Sequence, residues 1–379
     1  MKHVTTFMLM LLMASMIGIQ AQSVTLPPSG ANQQASVTQH MGLVKITIDY
    51  SSPDVTAPNG DDRRGKIWGG VVHYGMRNLG FGPAESSPWR AGANKNTVIT
   101  FSHDVEIEGK RLAAGKYGLH MMAAEEGKPW TIIFSNNTEA WGSYFYDVVD
   151  DALRVEVKPV KNAYNEWLTY SFDNRQQNTC TAYLAWEELK VPFVIAAPKS
   201  HDYYVNNLRQ ELQSRFGWQD YLAAANYCLQ NSTHLEQGMT WANTALSGNF
   251  IGQKNFTTLS TKAAFLMKMD KEEEALKVMD EAVKDPTASV GQIHQFGRQL
   301  ITMGKKDKAL EVFKMNAERF PDTWPVNVGL VRGYSAVGDY KKALKYAKMA
   351  KENVPANDSV NKQSIDSMIE KLAKGEDIN

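Results

Sequence analysis

The sequence is poor in cysteine and has no excess of charge of either sign. Its 379 residues include two cysteines, and 41 Lys and Arg residues balance 41 Asp and Glu residues. A general nucleic-acid binder needs a basic excess to neutralise phosphates, so this balance argues against that class. Cys180 lies in a strand-like apolar pattern and Cys228 in a helix-like one, which favours two small buried residues. A disulfide, which an oxidising compartment permits, is the less favoured alternative.

Long uncharged apolar runs are also scarce, and the one that stands out lies near the start of the chain. Lys2 precedes the run from Phe7 to Ile19, and the small residue Ala21 follows it, a pattern typical of a cleaved signal peptide over residues 1–21. The run is short for a membrane span, which needs about 20 apolar residues, so an uncleaved anchor is the less favoured alternative. Since Gln22 rather than Cys follows the predicted cleavage point, we do not expect a lipid anchor. These features predict export to the periplasm or the medium, with no membrane span after cleavage.

The next part of the chain is typical of β structure. Residues 22–40 are rich in Ser, Gln, Pro and Asn, which predicts a flexible leader able to donate one edge strand. Over residues 41–195, apolar and polar residues alternate in short runs separated by Gly-containing turns. These runs are Val44 to Tyr50, Val98 to His103, Val105 to Ile107, Tyr117 to Met122, Trp130 to Phe134, Leu153 to Val157, Glu166 to Phe172 and Thr179 to Glu187. Many short strands at this spacing predict an all-β domain of the sandwich or jelly-roll type.

Residues 196–379 have a helical pattern with an internal repeat. Ala275, Ala309 and Ala343 are spaced 34 residues apart, and the same spacing links Asp270, Gly304 and Gly338 at the predicted turns. A 34-residue helix–turn–helix unit with small residues at the helix crossing is the tetratricopeptide pattern. The predicted fold class is therefore α+β as two domains, with an all-β domain followed by an all-α repeat domain.

Five short motifs in the β region together resemble one bacterial family. They are Tyr50-Ser51-Ser52-Pro53, Arg64-Gly65-Lys66-Ile67-Trp68-Gly69, Trp89-Arg90-Ala91-Gly92-Ala93-Asn94, Ala114-Gly115-Lys116-Tyr117 and Ala140-Trp141-Gly142-Ser143-Tyr144. In this order, from about Gln39 to Pro192, they resemble the "domain of unknown function 2911" family. The resemblance implies an exported all-β module, often followed by helical repeats, and supplies no activity or catalytic residue. This chain departs from the family pattern by an insertion after Tyr74-Gly75, and by His73 and His120 in place of a proline and an apolar residue.

The loop from Trp89 to Asn94 is the main candidate for a ligand site in the β region. Trp89 and Arg90 side by side can stack on, and donate paired hydrogen bonds to, a sugar or a small anionic ligand. The candidate binding residues are Trp68, His73, Tyr74, Trp89, Arg90, Asn94, Trp141 and Tyr144. The favoured alternative is structural: Gly92 permits a left-handed turn, Asn94 caps it, and the loop tryptophans close one end of the domain. Strand alternation places Trp167 and Trp186 in the core.

No motif in the chain specifies a reaction. There is no Gly-x-Ser-x-Gly elbow, and the cysteines and histidines lack reactive or metal-ligating spacings, so we predict no catalytic residue, metal or cofactor. The favoured function is an exported scaffold whose helical repeats bind a peptide or protein partner. The alternative is a glycan-binding or hydrolytic β-domain with its site around the loop from Trp89 to Asn94.

Overall fold

The structure is a computed structural model that describes residues 32–321 and 323–379. The predicted signal peptide lies outside these residues, as does the predicted leader up to residue 31. The chain divides into two compact units between Ser200 and His201, whereas the sequence pattern had placed the boundary after residue 195. Within the described part, none of the helices combines the length and the hydrophobicity that crossing a bilayer requires.

The first unit is built from two antiparallel sheets. Its strands are β1 (Gln33–Met41), β2 (Val44–Ser52), β3 (Thr97–Phe101), β4 (Val105–Ile107), β5 (Lys110–Leu112), β6 (Gly115–Met122), β7 (Trp130–Ser135), β8 (Asp151–Val157), β9 (Val160–Asp173) and β10 (Thr179–Ala196). One sheet has the order β1-β2-β3-β6-β7-β8 and the other β5-β4-β10-β9. The predicted all-β character is confirmed, while the sandwich or jelly-roll arrangement stays a prediction.

Residues 33–40 of the predicted leader belong to the edge strand β1, which the sequence pattern allowed for. From Gln33 onward this polar stretch pairs continuously with β2, from Gln33 opposite Ser52 to Met41 opposite Val44. Because its backbone donors and acceptors are taken up by β2, the stretch is an ordered edge strand rather than a flexible segment. Its side chains are mostly polar, so their composition alone indicates a loop.

Side chains of the two sheets contact each other. The Tyr50 ring of β2 lies 4.9 Å from the Tyr170 ring of β9, and the Phe134 ring of β7 lies 6.2 Å from the Phe193 ring of β10. Trp186 of β10 is buried, as predicted. The prediction for Trp167 is wrong, since Leu168 and its alternate neighbours are the buried residues of β9 and Trp167 is 45% exposed.

Strand β10 ends at Ala196, next to the predicted end of the β domain at residue 195. Its pairing with β9 ends at Lys190, and its pairing with β4 begins at Ile195. Proline has no backbone N–H to donate to a ladder, and Pro192 lies between the two paired stretches. The strand therefore continues through Pro192 to the end of the predicted β domain.

The second unit is helical. Its helices are α1 (Ser200–Glu211), α2 (Trp218–Gln230), α3 (Leu235–Ser247), α4 (Phe256–Lys268), α5 (Glu272–Lys284), α6 (Val290–Thr302), α7 (Lys306–Arg319), α8 (Trp324–Ala336), α9 (Tyr340–Asn353) and α10 (Ser359–Ala373). Each helix from α2 to α9 contacts its partner in the pairs α2–α3, α4–α5, α6–α7 and α8–α9. Helix α2 also contacts α4, and α6 contacts α8, so the first helices lie side by side in the first two pairs and again in the last two.

The 34-residue repeat predicted from the sequence is present in the structure. Ala275, Ala309 and Ala343 are all buried at equivalent positions in the second helices of three successive pairs. The equivalent turn residues Asp270, Gly304 and Gly338 all have left-handed backbone, with φ of +59°, +75° and +82°. The same local conformation therefore recurs at each predicted turn, which confirms the tetratricopeptide-like arrangement.

Candidate functional site

The structure brings three of the predicted site residues together around a fourth, Arg90. Its Nη1 donates a hydrogen bond of 2.7 Å to the carbonyl oxygen of Asn94. Its guanidinium carbon lies 5.3 Å from the Trp141 ring centroid and 5.1 Å from the Tyr144 ring centroid. The two rings are stacked on each other, with their centroids 5.8 Å apart. Arg90 is therefore engaged by groups of its own chain, although Trp141 itself is 52% exposed.

Trp68 and Trp89 belong to a cluster of four indoles. Trp89 is 8% exposed and stacks on Trp186 with ring centroids 6.2 Å apart. Trp68 makes edge contacts at 5.1 to 5.9 Å with Trp89, Trp130 and Trp186. The Trp89 side chain therefore packs inside the β unit, where it offers little surface to a ligand at the loop.

The backbone of the loop differs from the predicted turn. Ala91 and Asn94 are the left-handed residues, with φ of +51° and +57°, whereas Gly92 is not. A Cβ atom at Gly92 would lie 2.6 Å from the Thr97 hydroxyl oxygen, so this glycine is required for space rather than for its dihedral angles. The glycan or small anionic ligand expected at this loop stays a prediction.

The remaining predicted residues lie on the segment after Trp68. Tyr74 is partly exposed and forms a bridge with Ala123 after β6. Burial lowers the pKa of His73, and its Nδ1 is a buried atom with no hydrogen-bond partner among the described residues. Neither side chain contacts the stack of Arg90, Trp141 and Tyr144 through a ring or hydrogen-bond interaction that the described residues show.

A serine–histidine pair occurs in the same unit, but it is not accessible to a substrate. The Nδ1 atom of His120 lies 3.2 Å from the Ser143 hydroxyl oxygen, and both residues are at most 2% exposed. Burial lowers the pKa of His120 to about 4, so its imidazole is neutral at ordinary pH. Within residues 32–321 and 323–379, no group of three or more His, Cys, Asp or Glu side chains is arranged to hold a metal ion.

The helical unit contains a site that the sequence analysis missed. Arg298 of α6 and Arg332 of α8 are 34 residues apart and occupy the same position of successive repeats. Both line a cavity of about 550 Å³ at the junction of these two helices. The other lining residues are Gln295, Gln299, Ile301, Thr302, Asp377 and Asn379. The 34-residue spacing of the two arginines was the signal that could have indicated the site.

The two arginines lack a negative partner. No ion pair of the described part of the chain includes Arg298 or Arg332, and the Nε atom of Arg332 is buried without a hydrogen-bond partner. Burial and the nearby Arg298 both lower the pKa of the Arg332 guanidinium. Burial, then Arg332 and Arg298, lower the pKa of the neighbouring His294 to about 4. Arg298 and Arg332 therefore present positive charge at the cavity, which an anionic group placed against them would neutralise.

An acidic segment of the chain itself lies at this cavity. The Ser335 hydroxyl of α8 donates a hydrogen bond of 2.7 Å to the Asp377 carboxylate and accepts one of 3.1 Å from the Ile378 N–H. The Asn379 side chain donates a 3.1 Å hydrogen bond to the Arg332 carbonyl oxygen. Burial alone would raise the pKa of Asp377, but hydrogen bonds from Ser335 and Asn379 outweigh it and lower the pKa. This face of α8 thus accommodates a non-helical, negatively charged segment.

Successive helix pairs with a 34-residue period, placed after an all-β unit, define a tetratricopeptide-type repeat protein with an additional N-terminal domain. Residues 32–195 match the model of the family described as "Protein of unknown function (DUF2911)". The β unit is therefore a domain of this family, which confirms the resemblance carried by the five motifs. No sequence among the functionally curated proteins matches the chain.

Several solved structures are similar to the helical part of the chain. YrrB, described as a TPR protein with an unusual peptide-binding site, is 20% identical, with 42% of this chain and 82% of YrrB covered and a TM-score of 0.30. MamA is 15% identical, with 40% of this chain and 87% of MamA covered and a TM-score of 0.32. The pilF protein of Pseudomonas aeruginosa is 15% identical, with 47% of this chain and 83% of that protein covered and a TM-score of 0.30.

Proposed function

We propose that the protein is an exported scaffold whose helical unit binds an acidic peptide segment of a partner protein across α6 and α8. The observation that carries this proposal is the pair of unneutralised arginines, Arg298 and Arg332, beside a seated acidic segment. The apolar run before Ala21 supports the exported location.

The chemistry of the cavity favours carboxylates. A guanidinium donates two parallel hydrogen bonds to a carboxylate, and hydrogen bonds to charged groups contribute about 1.5–3 kcal/mol each. Gln295 and Gln299, one turn apart on α6, offer side-chain amides for the backbone of an extended peptide. The Asp377 carboxylate is an example of an acidic group bound at this surface, since it accepts a hydrogen bond from Ser335 of α8.

The proposal is tested with a fluorescein-labelled peptide of sequence Gly-Glu-Asp-Ile-Asn, which corresponds to residues 375–379. Fluorescence anisotropy is measured with the full chain and with a variant that lacks residues 376–379. We expect saturable binding that is tighter in the shortened chain, because its cavity is not occupied, and that weakens with added salt.

Charge removal at the cavity provides the specificity control. The double variant Arg298→Gln, Arg332→Gln should bind the peptide at least about tenfold more weakly, because both charge-assisted contacts are lost. Lys348→Gln removes one positive charge from α9 outside the cavity and should leave binding unchanged. Equal binding by the double variant and the Lys348 variant would show that the arginines are not the site.

Export is tested separately. N-terminal sequencing of the chain recovered from its source cells should begin at Gln22, following cleavage after Ala21. A chain that retains Met1 in the cytoplasm would refute this part of the proposal and leave the peptide-binding part standing.

A further inference from the structure

The β unit contains a cleft that is separate from the Arg90 stack. It has a volume of about 850 Å³ and lies between four segments, residues 64–74, 124–130, 158–164 and 187–189. Its inner wall includes Trp68, Tyr74, Trp130 and the carboxylate of Glu187. A cleft of this size accommodates a small organic molecule.

Glu187 is an unusual residue for the wall of a cleft. It is 7% exposed, and its backbone is left-handed with φ of +52°. The register between β9 and β10 shifts on both sides of it, so β10 bulges at this position. As a result Trp186 and Glu187 are both buried, although consecutive residues of a regular strand point to opposite faces.

The Glu187 carboxylate has no positive partner. Its Oε1 accepts a short hydrogen bond from the Gly65 N–H, and no ion pair of the described residues includes it. Buried carboxylates are normally paired with a cation, since an unneutralised charge away from water is costly. Glu187 lines the cleft, where a cationic group of a ligand would neutralise its carboxylate.

The aromatic residues around Glu187 suit a cation. The Trp130 indole is held in place by a 3.0 Å hydrogen bond from its Nε1 to the Ala124 carbonyl oxygen. Trp68 packs against it edge-on, with ring centroids 5.1 Å apart, and the partly exposed Tyr74 lies against Gly69. Indole and phenol rings attract ammonium and guanidinium groups, so these side chains add to the attraction of the carboxylate.

The positive side chains at the mouth of the cleft do not neutralise Glu187. Lys128 pairs with Glu125 at 2.7 Å, and Arg64 lies 4.5 Å from the centroid of the Tyr164 ring. Lys158 and Lys161 line the mouth, are exposed, and form no ion pair with Glu187. Their position would favour a ligand with a negative group at the mouth of the cleft and a positive group next to the Glu187 carboxylate.

We propose that this cleft binds a basic amino acid or a short basic peptide, with its side-chain ammonium or guanidinium group on Glu187 beside Trp68 and Trp130 and its carboxylate toward Lys158 and Lys161. Free basic amino acids and short basic peptides have this chemistry. The site lies in the β unit and is independent of the acidic-peptide site on α6 and α8.

The test uses isothermal titration of the full chain with L-lysine, L-arginine and L-norleucine. L-Norleucine has the same chain of carbons as L-lysine but no side-chain ammonium group. We expect saturable binding of L-lysine or L-arginine that is at least about tenfold tighter than that of L-norleucine. Absence of saturable binding by both basic amino acids, or equal binding of L-norleucine, would overturn the proposal.

Matched variants distinguish a ligand site from a structural cap. Glu187→Gln keeps an oxygen that accepts from the Gly65 N–H but removes the charge, so it should weaken L-lysine binding at least about tenfold without unfolding the β unit. Glu188→Gln, which removes the adjacent charge of the same cleft, should change binding less than about threefold. If the Glu187 variant folds and binds L-lysine like the unaltered chain, Glu187 only caps the loop and the proposal fails.

Discussion

Replacing Arg332 with methionine should make the unliganded helical unit more stable while it weakens peptide binding. The Nε atom of Arg332 is buried without a hydrogen-bond partner, and such a donor costs about 1–3 kcal/mol. The nearby Arg298 adds repulsion, which contributes to the lowered pKa of Arg332. Methionine keeps an unbranched side chain and a similar helix propensity, but removes the donor and the charge.

We expect the free energy of unfolding of the helical unit to rise by about 1–2 kcal/mol in Arg332→Met. For a unit of this size, a change of 1 kcal/mol raises the melting temperature by about 2–4 °C. The measurement is urea and thermal unfolding of the full chain, followed by far-ultraviolet circular dichroism at 222 nm, without added peptide.

Arg209→Met on α1 is the matched control. The Arg209 guanidinium donates to Asn206 at 2.9 Å and to Gln237 at 3.0 Å, so its loss removes satisfied hydrogen bonds. This control should leave stability unchanged or reduce it, the opposite sign from Arg332→Met. If Arg332→Met also lowers stability, the side chain is held favourably in the free protein, and our explanation of Arg332 as an unpaired charge kept for an acidic peptide is refuted.

Two further predictions concern packing and pH. Gly297→Ala on α6 should lower the free energy of unfolding, measured with urea, by about 1 kcal/mol. The new Cβ atom would lie 2.5 Å from the fully buried Phe313 ring. Overpacking of this kind costs about 1–3 kcal/mol, which exceeds the gain of about 1 kcal/mol in helix propensity. Gly291→Ala on the same helix meets no atom within 4 Å and should gain up to about 1 kcal/mol. The free energy of unfolding of the β unit should fall by about 2–4 kcal/mol as the pH falls from 6.5 to about 4. Burial lowers the pKa of His120 to about 4, so over this range the unfolded chain binds more protons than the folded one. Near-ultraviolet circular dichroism during urea unfolding at pH 7 and pH 4.5 measures this loss, which should be smaller in His120→Gln.

Each of these predictions has an outcome that contradicts it. Equal stability of Gly297→Ala and Gly291→Ala would mean that the Phe313 ring moves aside without cost. An unchanged pH dependence in His120→Gln would assign the acid sensitivity of the β unit to other groups.

The repeat could be predicted because it depends on contacts that recur locally. A small residue is required where the two helices of a pair cross, and the sequence has one every 34 residues, at Ala275, Ala309 and Ala343. The β strands were also indicated by alternation, but the extent of the polar edge strand β1 and the outward direction of Trp167 were not. Strand β1 forms because it pairs with β2, and Trp167 points outward because its neighbour Leu168 is buried. Both features depend on other strands.

The sites were harder to predict than the fold. The side-chain chemistry of the loop region predicted a ligand site at Trp89, Arg90, Asn94, Trp141 and Tyr144. In the structure, the Arg90 guanidinium already makes its hydrogen bond and ring contacts within the chain. By contrast, a glutamate in β10 and an arginine in a helix have ordinary sequence surroundings. Whether such a charge has a partner depends on residues that are distant in the chain, so sequence patterns could not single them out.

The sequence by itself determined the order of the two units, the all-β character of the first and the helical period of the second, because alternation and periodicity are local consequences of backbone geometry. Only the tertiary structure decided which charges lack a partner: Glu187, where a bulge turns a strand residue inward, and Arg298 with Arg332, where packing of α6 beside α8 brings like charges together. Desolvation and unneutralised charge are properties of a residue's surroundings in space, and those surroundings exist only once distant segments have packed.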